Sequence, residues 1–241
     1  MSTPGREGVL GLRADHPQPG VLRLLLDRPA SRNALDRPLV EALLDAFDSV
    51  EEPVVVLGSA SPGAFCAGAD LRLDDAERAE VSDLLYALFG RMTAGAAIVV
   101  AALGGAAVGG GAQLAIAADL RVATPAAFLQ LAGPGHGLAV GAWGLPSLVG
   151  RGRALDLCLS MRPVDAQEAL AIGLVDRVAD DAAAEALALA AGVAALDPSA
   201  AARVKRVAWS ATTALEALEA ERSANRVAWT GSMRRAGAAD G

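Results

Sequence analysis

The chain has 241 residues, of which 53% are hydrophobic, 20% are charged and 3% are aromatic. This length suits one full-sized globular core, or such a core with a small appended unit. The formal net charge is −7 without a cluster of lysines and arginines, which argues against a nucleic-acid partner because phosphate binding requires a basic patch. Two cysteines do not make a disulfide framework, so we expect a reducing, cytoplasmic location.

The first half of the chain alternates between short apolar runs and helical patterns. Runs at Val21–Leu26, 54–57 and Ile98–Leu103 have the length and branching of strands buried on both faces. Helices are predicted between and after them, at residues 38–50, 76–92 and 111–117. This alternation predicts an α/β fold.

Residues 92–118 carry no charge, and a stretch of that length can span a bilayer. Its six glycines are better explained by a buried strand at 97–103, a glycine turn and the start of a helix. The first 11 residues lack the apolar core of a signal peptide. We therefore expect neither a membrane span nor a secretory signal.

After about residue 150 the sequence becomes mainly helical and rich in alanine. A short strand is predicted at 175–178, and helices at 154–160, 165–172, 182–195, 199–210 and 213–229. The helix that contains Leu187, Leu189 and Val193 is apolar on more than one face. It must pack either within the chain or against another subunit.

Three segments in the first half suggest a ligand site. Residues 27–35 form a turn with two arginines after the first predicted strand. In residues 63–71, small residues around Gly68 allow a ligand to approach the backbone, whose N–H groups can bind an oxyanion. In residues 104–114, a glycine turn opens a helix and presents free N–H groups at its positive end. This last segment lacks the Walker A lysine and the dinucleotide-binding glycine spacing.

In this order and spacing, the three segments resemble the signatures of the crotonase superfamily, also called the enoyl-CoA hydratase/isomerase family. The stretches are P-x-x-R-N-A-L at 29–35, F-C-A-G-A-D-L at 65–71 and G-G-G-A-Q-L-A-x-x-x-D at 109–119, with further likeness at 149–155 and 166–175. The resemblance implies a ββα spiral core over residues 1–180 and a helical trimerisation region over residues 181–241. It also implies a homotrimer or a dimer of trimers.

The resemblance implies an acyl-CoA ligand whose thioester oxygen accepts hydrogen bonds from two backbone N–H groups. The matching residues here are Ala69 and Gly110. Coenzyme A enters as part of the substrate or ligand, and no separate cofactor or metal is implied. The candidates for binding its nucleotide and phosphates are Arg28, Arg32, Asn33, Ala34, Ala67, Asp70, Leu71 and Arg72. For each arginine, a solvated surface role is an equal alternative.

The chain departs from the family at the two glutamates with which its hydratases hold and activate water. The first position is Gln113. The second falls, depending on where the alignment is anchored, on Gly133, Ala132 or Gln130. A glutamine can hydrogen-bond a water but cannot take its proton, so efficient hydration by two carboxylates is not expected.

Three other side chains are candidate replacements for these acids. His136 lies on the same loop and can titrate near neutrality, so it is either an acid/base candidate or a packing histidine. Asp70 is expected to cap the following turn, and Cys66 is expected to pack unless a cation lowers its pKa. The glycine turn contains no serine, which argues against a nucleophilic hydrolase.

Two functions remain open. One is an enzyme acting on an acyl-CoA thioester (an isomerase, decarboxylase, hydrolase or weak hydratase), with the proton moved by His136 or by a water on Gln113. The other is a non-catalytic fatty acyl-CoA binding or delivery protein. An imidazole near the reacting carbons favours the enzyme, and a pocket lined only by apolar side chains and Gln113 favours the binder.

The C-terminus carries a further expectation. After Trp229 the chain continues through Gly231 to Arg234 and Arg235. Family members usually have a longer segment here that covers the CoA adenine. We expect this element to be shortened, with a less enclosed CoA.

Overall fold

A computed structural model describes residues 11–210 and 213–229. Its strands are β1 (Leu12–Gln18), β2 (Val21–Leu26), β3 (Val54–Ser59), β4 (Gly63–Cys66), β5 (Ile98–Leu103), β6 (Gly105–Val108), β7 (Leu120–Ala123), β8 (Phe128–Gln130), β9 (Val164–Asp165) and β10 (Arg177–Val178). Its α-helices are α1 (Arg37–Asp48), α2 (Asp75–Ala94), α3 (Gly110–Ile116), α4 (Leu145–Val149), α5 (Arg151–Ser160), α6 (Ala166–Ala171), α7 (Ala182–Ala194), α8 (Pro198–Ser210) and α9 (Ala214–Ala228).

The strands form two sheets that are mainly parallel. One sheet has the order β1-β2-β3-β5-β7-β10 and the other β4-β6-β8-β9, with antiparallel pairing at β1–β2 and β8–β9. From β3 to β8 consecutive strands alternate between the two sheets, and a helix follows each of the first two pairs: β3-β4-α2, then β5-β6-α3. The predicted α/β class and the ββα order are therefore confirmed.

The two faces of the larger sheet have different partners. Leu22, Leu24 and Leu26 of β2 and alternate residues of β3 and β5 face the main core. Val54, Val56 and Val100 face α7, where alanines four residues apart lie flat on the sheet. These alanines are Ala182, Ala186 and Ala190.

This packing answers one open question about the C-terminal third. The apolar helix predicted at 182–195 packs within the chain, since Leu187, Leu189 and Val193 are half-buried against the same cluster. The first helix after residue 181 thus covers the sheet of the core. The division at residue 180 and the oligomerisation role of the later helices stay predictions.

The glycine-rich segments contain two short strands that were not predicted. Residues 63–66 form β4, and residues 105–108, which were expected to belong to a glycine turn, form β6. These strands approach so closely that a Cβ built on Gly105 would lie 2.3 Å from the carbonyl oxygen of Gly63. Only glycine fits there.

The uncharged stretch at 92–118 folds as the end of α2, then β5, β6 and α3. In the part of the chain that the structure describes, no single helix is long and apolar enough to cross a membrane. Helices α7 and α8 reach the required length and hydropathy only together, across a bend of 111°.

Candidate functional site

A pocket of about 170 Å³ lies beside the ends of β4 and β6. One wall is backbone: residues 67–69, which follow β4, and residues 108–110, which lead from β6 into α3. The other walls are a face of α2, Gln113 of α3, and residues 132–140. Trp229, just after α9, also contributes.

Two backbone N–H groups from separate segments meet at the first wall. Leu35 donates its N–H to Gly68 O (2.7 Å) and accepts from the Asp70 N–H (3.0 Å), which leaves the Ala69 N–H between them without an acceptor among the described residues. Gly110 is the first residue of α3, so its N–H has no intrahelical acceptor. A Cβ built on Gly110 would lie 3.8 Å from Ala69 N, so the two amides are neighbours.

Gly68 sets the spacing of this wall. Its φ is +90°, a conformation that favours glycine. A Cβ at this position would lie 2.6 Å from Val108 O and 3.3 Å from Gly110 N. The missing side chain of Gly68 therefore lets the N–H groups of Ala69 and Gly110 lie close together, which explains why the A-G-A sequence has a glycine at its centre.

Gln113 lines the pocket, but its amide oxygen is engaged in the protein. The side chain is buried, and the oxygen accepts hydrogen bonds from Gly141 N (3.0 Å) and Trp143 Nε1 (2.9 Å). These bonds fix the loop at 141–143 against α3. The oxygen that would hold a water in the predicted role is thus already occupied by two donors.

None of the candidate positions for the second acid provides a carboxylate. Gly133 and Ala132 line the pocket, but a Cβ on Gly133 would lie 2.1 Å from Val140 Cγ2, so this position has no room for a side chain. Gln130 donates its Nε2 to Met161 O at 2.8 Å and is not among the lining residues. His136, at the end of a short 3-10 turn, does line the pocket.

A buried polar cluster that no sequence motif indicated lies next to Gln113. The Tyr86 hydroxyl donates to Glu221 Oε1 (2.9 Å) and accepts from Asn225 Nδ2 (2.8 Å). The Glu221 carboxylate also accepts from the N–H groups of Gly141 (3.1 Å) and Trp143 (2.9 Å). Burial raises the pKa of Glu221 above its ordinary value.

The members of this cluster come from elements far apart in the chain. Tyr86 is on α2, and 135 residues separate it from Glu221 on α9. A glutamate and an asparagine one helical turn apart are usually solvated, and only the fold buries them. The sequence contains one indication of a polar helix face at this site. On α2, polar residues recur every four positions at Arg78, Ser82 and Tyr86, and all three line the pocket.

Two of the predicted CoA-binding side chains are used inside the protein. The Arg28 guanidinium donates to Ala34 O and pairs with Asp36 at 2.7 Å. Asn33 is fully buried, and its amide bonds Arg28 N, Ser59 Oγ and Phe65 O. These contacts stabilise the turn that Asn33 completes, and a phosphate contact from Arg28 stays a prediction.

The other CoA-binding candidates lie near the pocket mouth or at the surface. Ala67 and the 68% exposed Leu71 line the pocket, and Arg32 is exposed, whereas Ala34 is buried. Their contacts with CoA stay predictions. The Arg234–Arg235 segment lies outside the described residues.

Asp70 and Arg72 form a bidentate pair. The Arg72 guanidinium donates to the buried Asp70 carboxylate at 2.9 and 2.6 Å, and this bond holds the pKa of Asp70 at about 2. Asp70 Oδ1 also accepts the Arg72 N–H (3.1 Å), which confirms its predicted capping of the following turn. Cys66 is buried, and burial raises its pKa to about 12, as expected for a packing cysteine.

Comparison with known proteins identifies the family. The profile described as Enoyl-CoA hydratase/isomerase matches residues 16–235. The chain is 42% identical over 194 residues to "Probable enoyl-CoA hydratase echA6" of Mycobacterium tuberculosis, covering 78% of each. Among solved structures, an enoyl-CoA hydratase/isomerase from Mycobacterium paratuberculosis superposes with a TM-score of 0.85 at 26% identity (94% of this chain, 96% of that one). DspI of Pseudomonas aeruginosa gives 0.80 at 28% identity (95% and 99%). The chain belongs to the enoyl-CoA hydratase/isomerase family of the crotonase superfamily.

Proposed function

We propose that this protein binds acyl-CoA thioesters and holds the thioester carbonyl oxygen with the N–H groups of Ala69 and Gly110. These two donors lack acceptors in the described chain, lie side by side and line one pocket. The Gly110 N–H also stands at the positive end of α3. Two such donors in a site that excludes water stabilise a carbonyl oxygen as negative charge develops on it.

We further propose that binding is not followed by hydration through two carboxylates. The observation that supports this is a pocket with two N–H donors and no carboxylate among its described lining residues. Gln113 cannot accept a proton, and the backbone geometry at Gly133 leaves no room for a replacement. Glu221 is nearby, but its carboxylate already bonds a hydroxyl and two backbone amides.

One observation favours a second function. His136 lines the same pocket as Gly110, and an imidazole can move a proton at neutral pH. An enzyme that removes an α-proton from a bound thioester, and returns it elsewhere, would use the two N–H groups to stabilise the enolate. We rank this second because the structure records no hydrogen bond that orients the His136 ring among the described residues.

A trimeric assembly is also part of the proposal. Helices α5 and α8 expose large apolar side chains that a subunit contact would cover, namely Leu155, Leu159, Val204 and Val207. Light scattering coupled to size-exclusion chromatography tests this directly. A monomer at micromolar concentration would contradict it.

The two functions are separated by three assays on the same preparation. Calorimetric titration with a saturated acyl-CoA, with free CoA as the control, measures binding. Loss of the thioester-enone absorbance of crotonyl-CoA measures hydration. Exchange of the α-protons of butyryl-CoA in D₂O, followed by NMR, measures enolate chemistry. A binder gives the first signal alone, and exchange that is lost in His136→Gln establishes the enzyme instead.

A further inference from the structure

Gln113 and Glu221 share a single hydrogen-bond donor. The Gly141 N–H donates to Gln113 Oε1 at 3.0 Å and to Glu221 Oε1 at 3.1 Å. Two oxygens bonded to one N–H cannot be more than about 6 Å apart, and sharing one hydrogen holds them closer. Trp143 repeats the arrangement, because its Nε1 donates to Gln113 and its backbone N–H donates to Glu221.

Glu221 is the carboxyl group of this cluster, and it is buried. Gln113 and Glu221 are each 5% exposed. No arginine, lysine or histidine forms an ion pair with Glu221 among the described residues, and the groups that face it are the Tyr86 hydroxyl, the Cys158 thiol and backbone amides. When Glu221 is ionised, its charge is therefore balanced among the described residues only by hydrogen-bond donors. These donors, the Tyr86 hydroxyl and the N–H groups of Gly141 and Trp143, already bond Glu221 and are not free for a second carboxylate.

We infer that Gln113 and Glu221 are a complementary pair built to hold one carboxylate. Glu221, on α9, determines that position 113 is neutral. A second carboxylate at 113 would compete for the Gly141 N–H and would repel Glu221 at close range, where burial weakens the screening of charges. The negative charge of the site thus lies in the layer behind the pocket, and the face that meets the ligand is an amide.

The same pair connects α9 to the shape of the pocket. One turn after Glu221, the Asn225 amide bonds both backbone groups of Ala139, accepting from its N–H at 2.9 Å and donating to its carbonyl at 2.7 Å. The loop that α9 holds in this way includes Val140, which lines the pocket. Glu221 is therefore a positioning residue, acting on the ligand pocket through the loop and through Gln113.

The test is a double-mutant cycle on the ligand-free protein: Gln113→Glu, Glu221→Gln and both together, with unfolding midpoints measured from pH 5 to pH 9. We expect Gln113→Glu to lower the midpoint at pH 8 by about 5–10 °C, and by less at pH 5, where one carboxyl of the pair is protonated. The double variant moves the carboxylate from position 221 to position 113, and it should recover at least half of that loss in the unfolding midpoint. Gln167→Glu, on the exposed part of α6, is the matched control and should show no such pH dependence.

Each outcome decides the inference. It is overturned if Gln113→Glu is as stable as the parent at pH 8, or if the double variant is no more stable than Gln113→Glu. Should Gln113→Glu fail to fold, a folded double variant supports the pair and an unfolded one contradicts it. The inference concerns the site of the proposed function but does not require its ligand, since a parent protein that binds no acyl-CoA would refute that proposal and leave this cycle unaffected.

Discussion

The two sides of the pocket are built in different ways. The wall after β4 and β6 offers backbone N–H groups, and its geometry is set by glycines and by strand packing. Another part of the lining offers side chains, where Gln113 and, in the layer behind it, Glu221 accept from the same loop amide. The two proposed tasks, carbonyl binding and proton transfer, are therefore separable in this fold, because the first depends on backbone packing and the second on a few replaceable side chains.

The largest predicted effect falls on the backbone wall. Gly110→Val should weaken acyl-CoA binding at least about 100-fold, because the branched side chain occupies the space in front of the N–H pair. The protein should still fold, since the nearest contacts of a Cβ there are the side-chain ends of Leu35 and Leu85 at 3.2 and 3.4 Å, and Ala69 N lies 3.8 Å away. Gly192→Val, in open space on α7, is the control. Calorimetry that finds equal affinity for both variants would show that this wall does not bind the thioester.

The side-chain wall should respond in stability rather than in binding. Tyr86→Phe removes the hydroxyl that bonds Glu221 and Asn225, and it should lower the free energy of unfolding by about 1–2 kcal/mol. Acyl-CoA affinity should change less than about threefold. Urea unfolding checks this, with Ser223→Ala on the exposed face of α9 as the control. A loss of affinity without a loss of stability would mean that the hydroxyl contacts the ligand.

Asp70 gives the backbone wall an acid-sensitive support. Its pKa in the folded protein is about 2, below the ordinary 3.8, so its ionised form is favoured by folding. This stability is present above about pH 4 and is lost as pH falls towards 2. Asp70→Asn should therefore be about 1 kcal/mol less stable at pH 7, with the difference vanishing near pH 2. Urea unfolding at several pH values measures it, and a difference independent of pH would contradict the ion pair with Arg72.

The smallest predicted effect is on acyl-CoA affinity, and it distinguishes Arg32 from Arg28. Arg32 is exposed, and Arg32→Gln should weaken acyl-CoA binding about threefold at low salt and less at high salt, as expected for a phosphate contact. Arg28→Gln should instead reduce stability, because its guanidinium bonds Ala34 O and Asp36. Salt-dependent titrations and unfolding curves of both variants test the assignment. Equal behaviour of the two would contradict it.

Sequence patterns predicted the fold where side chains are large. The bounds of β2 and β5 agree with the predicted runs, because branched apolar residues define strands buried on both faces. Strands β4 and β6 were missed because glycine and alanine carry little strand preference. Their identity depends on the close approach at Gly105, which is a tertiary property.

The candidate site, like the fold, was predicted only in part. Ala69, Gly110 and Gln113 were predicted because they match family motifs with fixed spacing, and the structure brings them to one pocket. Glu221 and Asn225 were not found, since nothing in α9 distinguishes a buried glutamate from a solvated one. Only packing against α2 and the 139–143 loop gives these residues a role.

The proposal that the pocket binds acyl-CoA without hydrating it is best tested by measuring crotonyl-CoA hydration beside calorimetric titration with a saturated acyl-CoA. We predict saturable acyl-CoA binding, abolished by Gly110→Val, with no hydration above that of the Gly110→Val protein. Hydration at a rate ordinary for enzymes, about 1–10³ per second, would contradict the account and would mean that a group other than a paired carboxylate activates the water.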